Sequence, residues 1–418
     1  MMKKTYVYAS DKPWITGKIK SLIARRQKLL KFGKDSPAYK EARNAVQNEC
    51  ENCKKCFYDR KVSKLKETCV RRWWKEIKGL TGLRCSESWV QQMLGDQLES
   101  TELLANSFNT FLAGLTADFV PLPEIIPGSF FPVPEHLLVD TRMVYKALRG
   151  IKSNKSGGPD PIPGKVWKEF AFELSPVIAN IYASMVQGYV PVFLKQSEVV
   201  PVPKCSPPKV VEQDLRPISL TPHIAKVMEG LTLDSLFKQV CDKLDTHQFA
   251  LAGKSTTHAL VFFLQVILVA LDQGDTYART FFTDFSKGFD LVDHNILIQE
   301  MELLGRHEAN IRWIGSFLTD RSQRVRIGKV YSHPVTPNGG IPQGTKLAPL
   351  LFAILVNNLC RDWRYRIKYV DNTSVFESIP QCAPSYLSLI AANINTYTSM
   401  PNMRLNEKKN VKIRLSIF

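Results

Sequence analysis

Two segments of the sequence each deliver an aspartate at the end of an apolar, strand-like run. Asp284 follows Phe281-Phe282-Thr283, and Asp371 follows Tyr369-Val370. Carboxylates at the ends of neighbouring strands could hold two magnesium ions about 3.5–4 Å apart, one activating a hydroxyl nucleophile and one neutralising a leaving pyrophosphate. The two segments therefore predict a two-metal site for nucleotidyl transfer. Asn372 occupies a position in this site where a further carboxylate would be useful.

A glycine-rich turn lies between the two aspartates in sequence. Its residues are Gly339, Gly340, Ile341, Pro342, Gln343, Gly344 and Thr345. The glycines permit close approach of the backbone to a nucleotide or template base, the proline stiffens the turn, and the glutamine offers an amide to a phosphate or sugar. An ordinary tight loop before the apolar helix expected over residues 347–355 would use the same residue types. The order of the three elements favours the functional interpretation.

Three further side chains could contact a nucleotide. Phe289, five residues after Asp284, could place its ring beneath the sugar and exclude a 2′-hydroxyl, although a core aromatic residue would look the same in sequence. Lys204 and Arg216 could bind a triphosphate, the lysine as a point charge and the arginine as a bidentate fork. Neither cation is informative alone.

The charge of the chain indicates a polyanionic partner, either nucleic acid or an acidic membrane surface. The net charge is +17, and the first 82 residues hold 22 basic against 8 acidic residues. The longest apolar run, residues 259–271, is interrupted by Gln265 and is shorter than the roughly 20 residues that a spanning helix needs. We therefore expect a buried core helix there and no membrane partner. With nine scattered cysteines and no secretory signal after Met1, we expect an intracellular protein that is not secreted.

Residues 1–82 predict a basic helical arm with a break between two helices at residues 33–37. Basic residues beside Trp73 and Trp74 suit phosphate contact and base stacking, but a solvated helix face with core tryptophans is the alternative. The C-x2-C-x2-C run of Cys50, Cys53 and Cys56 could supply metal thiolates. No His or Cys pair follows at zinc-site spacing, which favours ordinary positions on a helix.

The remainder of the chain divides at a proline-rich segment. Residues 83–137 contain a short helical piece, residues 98–112, followed by a connector with prolines from Pro121 to Pro134. From residue 138 to residue 418, strand-like runs such as 198–203 and 324–327 mix with helical ones. This mixture predicts an α+β domain rather than a regular β/α alternation.

Seven motifs, taken together, resemble those of reverse transcriptases from non-LTR retrotransposons, with the jockey and CR1 type the most similar. In order along the chain they are residues 153–160, 215–220, 248–249 with 255–260, 284–290, 340–345, 369–372 and 405–409. The resemblance covers about residues 138–409. Residues 1–82 resemble the basic linker that follows an upstream endonuclease in such elements.

The resemblance implies a right-hand polymerase whose fingers and palm copy an RNA template into DNA from a DNA primer and deoxynucleoside triphosphates. The palm would hold a small antiparallel sheet backed by helices, with Mg²⁺ at its carboxylates and Mn²⁺ as a substitute. Such a protein would act in the nucleus or in a cytoplasmic ribonucleoprotein. The sequence does not indicate an oligomeric state.

The motif positions also imply individual roles. The metal ligands would be Asp284, Asp371 and the backbone of Phe285. The remaining roles are Lys204 and Arg216 at the triphosphate, Phe289 as sugar gate, Gln343 at the nascent base pair, Gly340, Pro342, Gly344 and Tyr369 toward template and primer, and Lys409 as proton donor to pyrophosphate.

Three departures from the family pattern modify this expectation. Asn372 replaces the second aspartate of Tyr-x-Asp-Asp and removes a negative charge from the site, which predicts weaker metal binding. Gly288 replaces the alanine of the family pattern, and the nine residues after Lys409 lead us to expect a polymerase unit truncated before the thumb. We therefore expect a weakened copy. The alternatives are a catalytically inert remnant that binds nucleic acid through counterion release, and a host polymerase or splicing maturase.

Overall fold

The structure is a computed structural model that divides into two compact units, Met1–Ser88 and Trp89–Phe418. The residues that it describes are 12, 14–68, 73–74, 77, 89–94, 98–123, 134–135, 138–153, 155–186, 189–205, 207–272, 276–380, 382–399, 403–406 and 410–416. In this part of the chain, no helix is long and apolar enough to cross a membrane.

The first unit contains a helical hairpin. Helix α1 (Gly17–Leu29) continues into a 3₁₀ turn (Leu30–Phe32), and helix α2 (Pro37–Thr68) follows. The predicted break lies between them, where Gly33 adopts a φ of +94° that a glycine tolerates without strain. Lys18 Nζ bonds Glu49 Oε2 at 2.9 Å across the hairpin, and Cys50, Cys53 and Cys56 lie on α2.

The second unit mixes helices with two small sheets. Its helices are α3 (Trp89–Leu94), α4 (Leu98–Gly114), α5 (Thr141–Arg149), α6 (Gly164–Glu169), α7 (Ala171–Val186), α8 (Val211–Asp214), α9 (His223–Val240), α10 (Thr256–Asp272), α11 (His294–Leu303), α12 (Glu308–Leu318), α13 (Ala348–Leu355) and α14 (Leu387–Ser399). Its strands are β1 (Ser197–Pro203), β2 (Leu215–Leu220), β3 (Thr276–Ser286), β4 (Gln323–Ile327), β5 (Val330–Tyr331), β6 (Arg366–Tyr369), β7 (Asn372–Pro380), β8 (Arg404–Leu405) and β9 (Val411–Ser416).

The strands form one four-stranded and one five-stranded sheet. The four-stranded sheet has the order β2-β1-β4-β5, in which β1 pairs antiparallel with β2 and parallel with β4. The five-stranded sheet has the order β6-β7-β3-β8, with β9 also paired to β3, and all of its pairings are antiparallel. The predicted α+β class is confirmed at this level, with small antiparallel pairings and helices packed beside them.

Helix α13 lies at the centre of the largest hydrophobic cluster and supports the turn after β3. Its residues from Leu350 to Leu355 are each at most 2% exposed, as the apolar run in the sequence predicted. The Phe352 ring lies 6.0 Å from the Phe285 ring and 5.0 Å from the Phe289 ring, centroid to centroid. The backbone that carries Asp284 is thus packed against the core immediately after the aspartate.

The prediction of a buried core helix over residues 259–271 was wrong in one respect. A helix forms there, but Leu260, Leu264 and Leu268 are 60%, 52% and 53% exposed. The reason is that α10 covers the five-stranded sheet with one face only, through Phe262 and Phe263. An apolar run shows that a helix can be buried but does not show how many neighbours it has.

A buried ionic cluster is built on β6, the strand that leads to Asp371. The Arg366 guanidinium donates to both oxygens of Asp245 at 2.7 Å, and Lys368 Nζ lies 2.8 Å from Asp245 Oδ2. Lys368 is fully buried and also donates to the carbonyl oxygens of Val356 and Asn357, so its three N–H donors are all used. Burial alone would raise the pKa of Asp245, but the hydrogen bond from Arg366 and the charge of Lys368 hold it below its ordinary value.

We predict that Asp245→Asn lowers the free energy of unfolding by about 3–5 kcal/mol at pH 7, because two buried cations would lose their only counter-charge in this cluster. Chemical denaturation followed by tryptophan fluorescence would measure the change. Asp272→Asn, at the exposed end of α10, is the control and should stay within about 0.5 kcal/mol. A loss below about 1 kcal/mol in Asp245→Asn would contradict the importance of the cluster.

Candidate active site

The register between β3 and β7 brings the predicted acidic segments together. Nine residue pairs run from Thr276 opposite Pro380 to Asp284 opposite Asn372. Strand β6 joins β7 through the two-residue turn Val370-Asp371, closed by the pairing of Tyr369 with Asn372. The Phe285 N–H donates to the Asp371 carbonyl oxygen at 3.3 Å. Asp284 and Asp371 therefore lie at the same end of the five-stranded sheet.

The hairpin turn holds a strained backbone conformation. Val370 has a φ of +55°, a region that β-branched residues rarely adopt and that two-residue hairpin turns require at their first position. Such a conformation costs on the order of 1–3 kcal/mol and persists where surrounding contacts enforce it. Lys368, two residues earlier, supplies those contacts through its ion pair and its backbone bonds to His247 and Phe249.

Two asparagine amides contact the aspartates. Asn372 Nδ2 donates to Asp371 Oδ1 at 3.2 Å, and Asn406 Nδ2 donates to Asp284 Oδ2 at 3.1 Å. The Asn406 backbone N–H also donates to the Asp284 carbonyl oxygen at 2.8 Å. Asn406 belongs to the motif at residues 405–409. The sequence analysis assigns a role in that motif to Lys409 and none to Asn406.

The donor set fits a magnesium ion. Hard oxygen ligands suit Mg²⁺, which commonly binds one or two protein carboxylates together with waters and substrate phosphates. Asp284 and Asp371 supply two carboxylates, and the Phe285 backbone is adjacent to both through its bond to Asp371. Over the described ranges, no group of three or more His, Cys, Asp and Glu side chains could hold a metal ion.

The turn after β3 places Phe289 and Asp290. Lys287 adopts a φ of +55°, and Phe289 packs half-buried against Phe352. A Cβ added to Gly288 would lie 3.2 Å from both Phe285 Cβ and Phe352 Cζ, which is tighter than ordinary van der Waals contact. This crowding gives a local physical reason for a glycine at position 288.

The glycine-rich turn is hydrogen-bonded to Asp290 through Gln343. Gln343 Nε2 donates to Asp290 Oδ1 at 2.9 Å and to Oδ2 at 3.1 Å, while the Gln343 carbonyl oxygen accepts from the Ser219 N–H at 2.7 Å. Gly340 and Gly344 have φ values of +83° and +115°, and a Cβ on Gly344 would lie 2.8 Å from the Ser219 carbonyl oxygen. Gly344 thus permits close approach of the turn to β2, and a Cβ on Gly340 would lie 3.0 Å from the Asp290 carbonyl oxygen. Close approach of these glycines to a nucleotide stays a prediction.

The pKa values of Asp290 and Lys287 are shifted from those of the free side chains. Burial raises the pKa of Asp290 to about 6, against the opposing effects of the Gln343 hydrogen bond and the Lys287 and Lys204 charges. Burial lowers the pKa of Lys287 to about 8. Lys287 Nζ donates to the Glu212 carbonyl oxygen at 2.8 Å, which connects this turn to the segment between β1 and β2.

A sequence profile of the family described as "Reverse transcriptase (RNA-dependent DNA polymerase)" matches residues 202–415, more than half of the chain. The chain belongs to the reverse transcriptase family. The resemblance found in the sequence motifs is thereby confirmed, and reverse transcriptases generally use divalent metal ions.

Three relatives of this reverse transcriptase come from Drosophila melanogaster. The chain is 28% identical over 220 residues to a probable RNA-directed DNA polymerase from transposon BS, covering 52% of this chain and 24% of the relative. It is 26% identical over 278 residues to the RNA-directed DNA polymerase from mobile element jockey, covering 63% of this chain and 29% of the relative. It is 27% identical over 212 residues to a probable RNA-directed DNA polymerase from transposon X-element, covering 50% of this chain and 23% of the relative. The matched region thus spans about a quarter of these relatives.

Other residues expected to act in this reverse transcriptase lie on several different elements of the fold. Arg216, on β2, pairs with Val202 of β1, and Lys204 Nζ donates to the Gln213 carbonyl oxygen at 2.6 Å. Both cations are exposed, Arg216 on β2 and Lys204 directly after β1. Tyr369 is half-buried against an aromatic cluster, and Pro342 lies in the glycine-rich turn. Lys409 lies outside the described residues.

We predict that Asp290→Asn becomes more stable relative to the parent chain as the pH rises. A carboxyl whose pKa is raised from 3.8 to about 6 contributes stability that is fully present below pH 3.8 and is lost as the pH rises through 6. The asparagine variant lacks this loss, so its free energy of unfolding relative to the parent chain should increase by about 2 kcal/mol between pH 4.5 and 7.5. Denaturant titrations at both pH values measure it, with exposed Glu169→Gln as control. An unchanged difference would refute the shifted pKa.

Proposed function

We propose that this chain is the RNA-directed DNA polymerase domain of a non-LTR retrotransposon. The five-stranded sheet is its palm, and the four-stranded sheet belongs to its fingers. The domain extends a DNA primer on an RNA template with deoxynucleoside triphosphates, in the nucleus or in a cytoplasmic ribonucleoprotein. The observation that carries the proposal is the pairing of Asp284 with Asn372, since this register brings Asp371 beside Phe285 within a reverse transcriptase domain.

The two aspartates and the Phe285 backbone are the proposed ligands of the metal site, with Mg²⁺ as cofactor and Mn²⁺ as substitute. Bound metal would activate the primer hydroxyl and stabilise the leaving pyrophosphate. The protein residues hold that site in place. The packing of Phe285 on Phe352 supports Asp284, and the buried Lys368 supports the turn that carries Asp371.

The surrounding residues are proposed to orient the nucleotide. Lys204 and Arg216 contact the triphosphate, Phe289 limits the sugar, and Gln343 lies beside the nascent base pair. The turn containing Gly340, Pro342 and Gly344, together with Tyr369, faces template and primer. Lys409 is the proposed proton donor to pyrophosphate. In support of that role, Asn406 and Asn410, which flank it in sequence, both bond Asp284.

In the proposed organisation, residues 1–82 are a basic arm that binds nucleic acid, residues 83–137 a connector, and residues 138–418 the polymerase unit. The support for the arm is its net charge of +14 and the exposed basic residues along α1 and α2, which suit a phosphate backbone.

A second candidate function is a catalytically inert protein that binds nucleic acid. Asn372 favours it, because its amide replaces a carboxylate and donates a hydrogen bond to the Asp371 oxygen that a metal would also require. The two candidates differ in whether the aspartates support synthesis.

We predict that the chain extends oligo(dT) on poly(rA) with Mg²⁺ or Mn²⁺ and that Asp284→Ala slows extension by about a thousandfold. Loss of a metal ligand removes about 4 kcal/mol of transition-state stabilisation. Asp272→Asn is the matched control and should extend at the parental rate. No extension in either metal, with the template still bound, would favour the inert protein.

We predict that Asn372→Asp lowers the Mg²⁺ concentration for half-maximal extension by about tenfold, because affinity in such sites follows the number of charged ligands. A metal titration at fixed primer–template measures it. Asn358→Asp, on an exposed residue after α13, controls for the added charge. An unchanged Mg²⁺ concentration for half-maximal extension would show that the missing carboxylate does not limit metal binding.

A further inference from the structure

The β8–β9 connection lies against Asp284. On one side Phe285 pairs with Leu405 of β8, and on the other Phe282 pairs with Val411 of β9. Two residues of β3, Thr283 and Asp284, lie between these pairings. In the connection between β8 and β9 the structure describes Asn406 and Asn410, and both bond Asp284.

The two asparagines bond different parts of Asp284. Asn410 Oδ1 accepts from the Asp284 backbone N–H at 3.4 Å, at the edge of hydrogen-bond distance. Asn406 donates twice, from its backbone N–H to the Asp284 carbonyl oxygen at 2.8 Å and from Nδ2 to the carboxylate oxygen Oδ2 at 3.1 Å. Of the two asparagines, Asn406 is thus the one whose side-chain amide contacts the carboxylate group itself.

An amide anchored in this way determines the carboxylate orientation. The terminal torsion of an aspartate is broad, so the plane of its carboxylate is poorly defined without a partner. The backbone bond fixes Asn406 relative to β3, and its side chain then fixes Oδ2. Groups that hold a metal ligand in this manner typically contribute 10–100-fold to metal affinity.

We infer that Asn406 is a positioning residue that orients the Asp284 carboxylate for metal binding. This inference rests on the proposed function insofar as Asp284 is a metal ligand. It gives Asn406 a role in the 405–409 motif, in addition to the role of proton donor expected of Lys409. A merely structural Asn406 would close the β8–β9 connection without affecting the metal.

The experiment measures Mn²⁺ binding to the full chain without nucleic acid, by electron paramagnetic resonance of free Mn²⁺. We expect Asn406→Ala to raise the dissociation constant by about 10–100-fold. Asn406→Leu, which keeps the approximate side-chain size but has no N–H donor, should do the same. Asp284→Asn should remove the affected site.

The matched control is Asn358→Ala. Asn358 Nδ2 also donates to a carboxylate, Glu300 Oε2 at 3.4 Å, but the bond is exposed and does not involve either aspartate of the site. This variant should bind Mn²⁺ with the parental affinity. Thermal unfolding of each variant shows whether it folds, and parental unfolding temperatures with weakened binding would separate positioning from stability.

Primer extension distinguishes this inference from the proposed function. If raising the metal concentration restores primer extension by Asn406→Ala, the inference and the proposed function both stand. If the parent chain binds Mn²⁺ and Asn406→Ala weakens that binding but no chain extends a primer, the proposed function fails and the inference stands. Parental Mn²⁺ affinity in both Asn406 variants overturns the inference, as does a parent chain that binds no Mn²⁺.

Discussion

The antiparallel register between β3 and β7 determines where the candidate site lies. Because side chains alternate across a strand, a slip of one residue would turn Asp284 to the opposite face of the sheet. It would also separate Asp284 from the hairpin turn that carries Asp371. The register is set by nine pairs, many of them buried residues such as Phe281 and Val375, so the hydrophobic core and the site specify the same alignment.

The charges beneath the hairpin explain why orientation matters at this site. Arg366 and Lys368 place two buried cations on the strand leading to Asp371, and Asp245 balances one of them. Asn372 contributes no negative charge where a second aspartate would. A divalent ion at the proposed site would thus meet less attraction than two adjacent aspartates would supply, and more of its binding would depend on how well the two carboxylates are held. The amide of Asn406 and the constrained turn at Val370 hold them.

The sequence predicted those parts of the structure that depend on local pattern and order. The strand that holds Asp284, the strand that leads to Asp371 and the helix after the glycine-rich turn follow from runs of apolar residues, although β3 continues two residues beyond Asp284. The sequence could not predict Lys368 as fully buried, because its burial depends on Asp245, 123 residues earlier. Nor could it pair Gln343 with Asp290, since the turn was expected to face a nucleotide. The exposed face of α10 was missed because composition reports hydrophobicity and not the number of packing partners.

The two sheets are joined beside the site by contacts that depend on charge. Gln343 bonds both Ser219 of β2 and the Asp290 carboxylate, and Lys287 bonds the Glu212 carbonyl oxygen between β1 and β2. With a pKa of about 6 for Asp290 and about 8 for Lys287, the two groups carry their charges at the same time only between these pH values. The bonds of Gln343 and Lys287 hold the cations of the four-stranded sheet relative to Asp284. Because burial opposes the charge on both groups, ionisation of Asp290 above pH 6 keeps a carboxylate as the acceptor for Gln343 but lowers the stability of the fold.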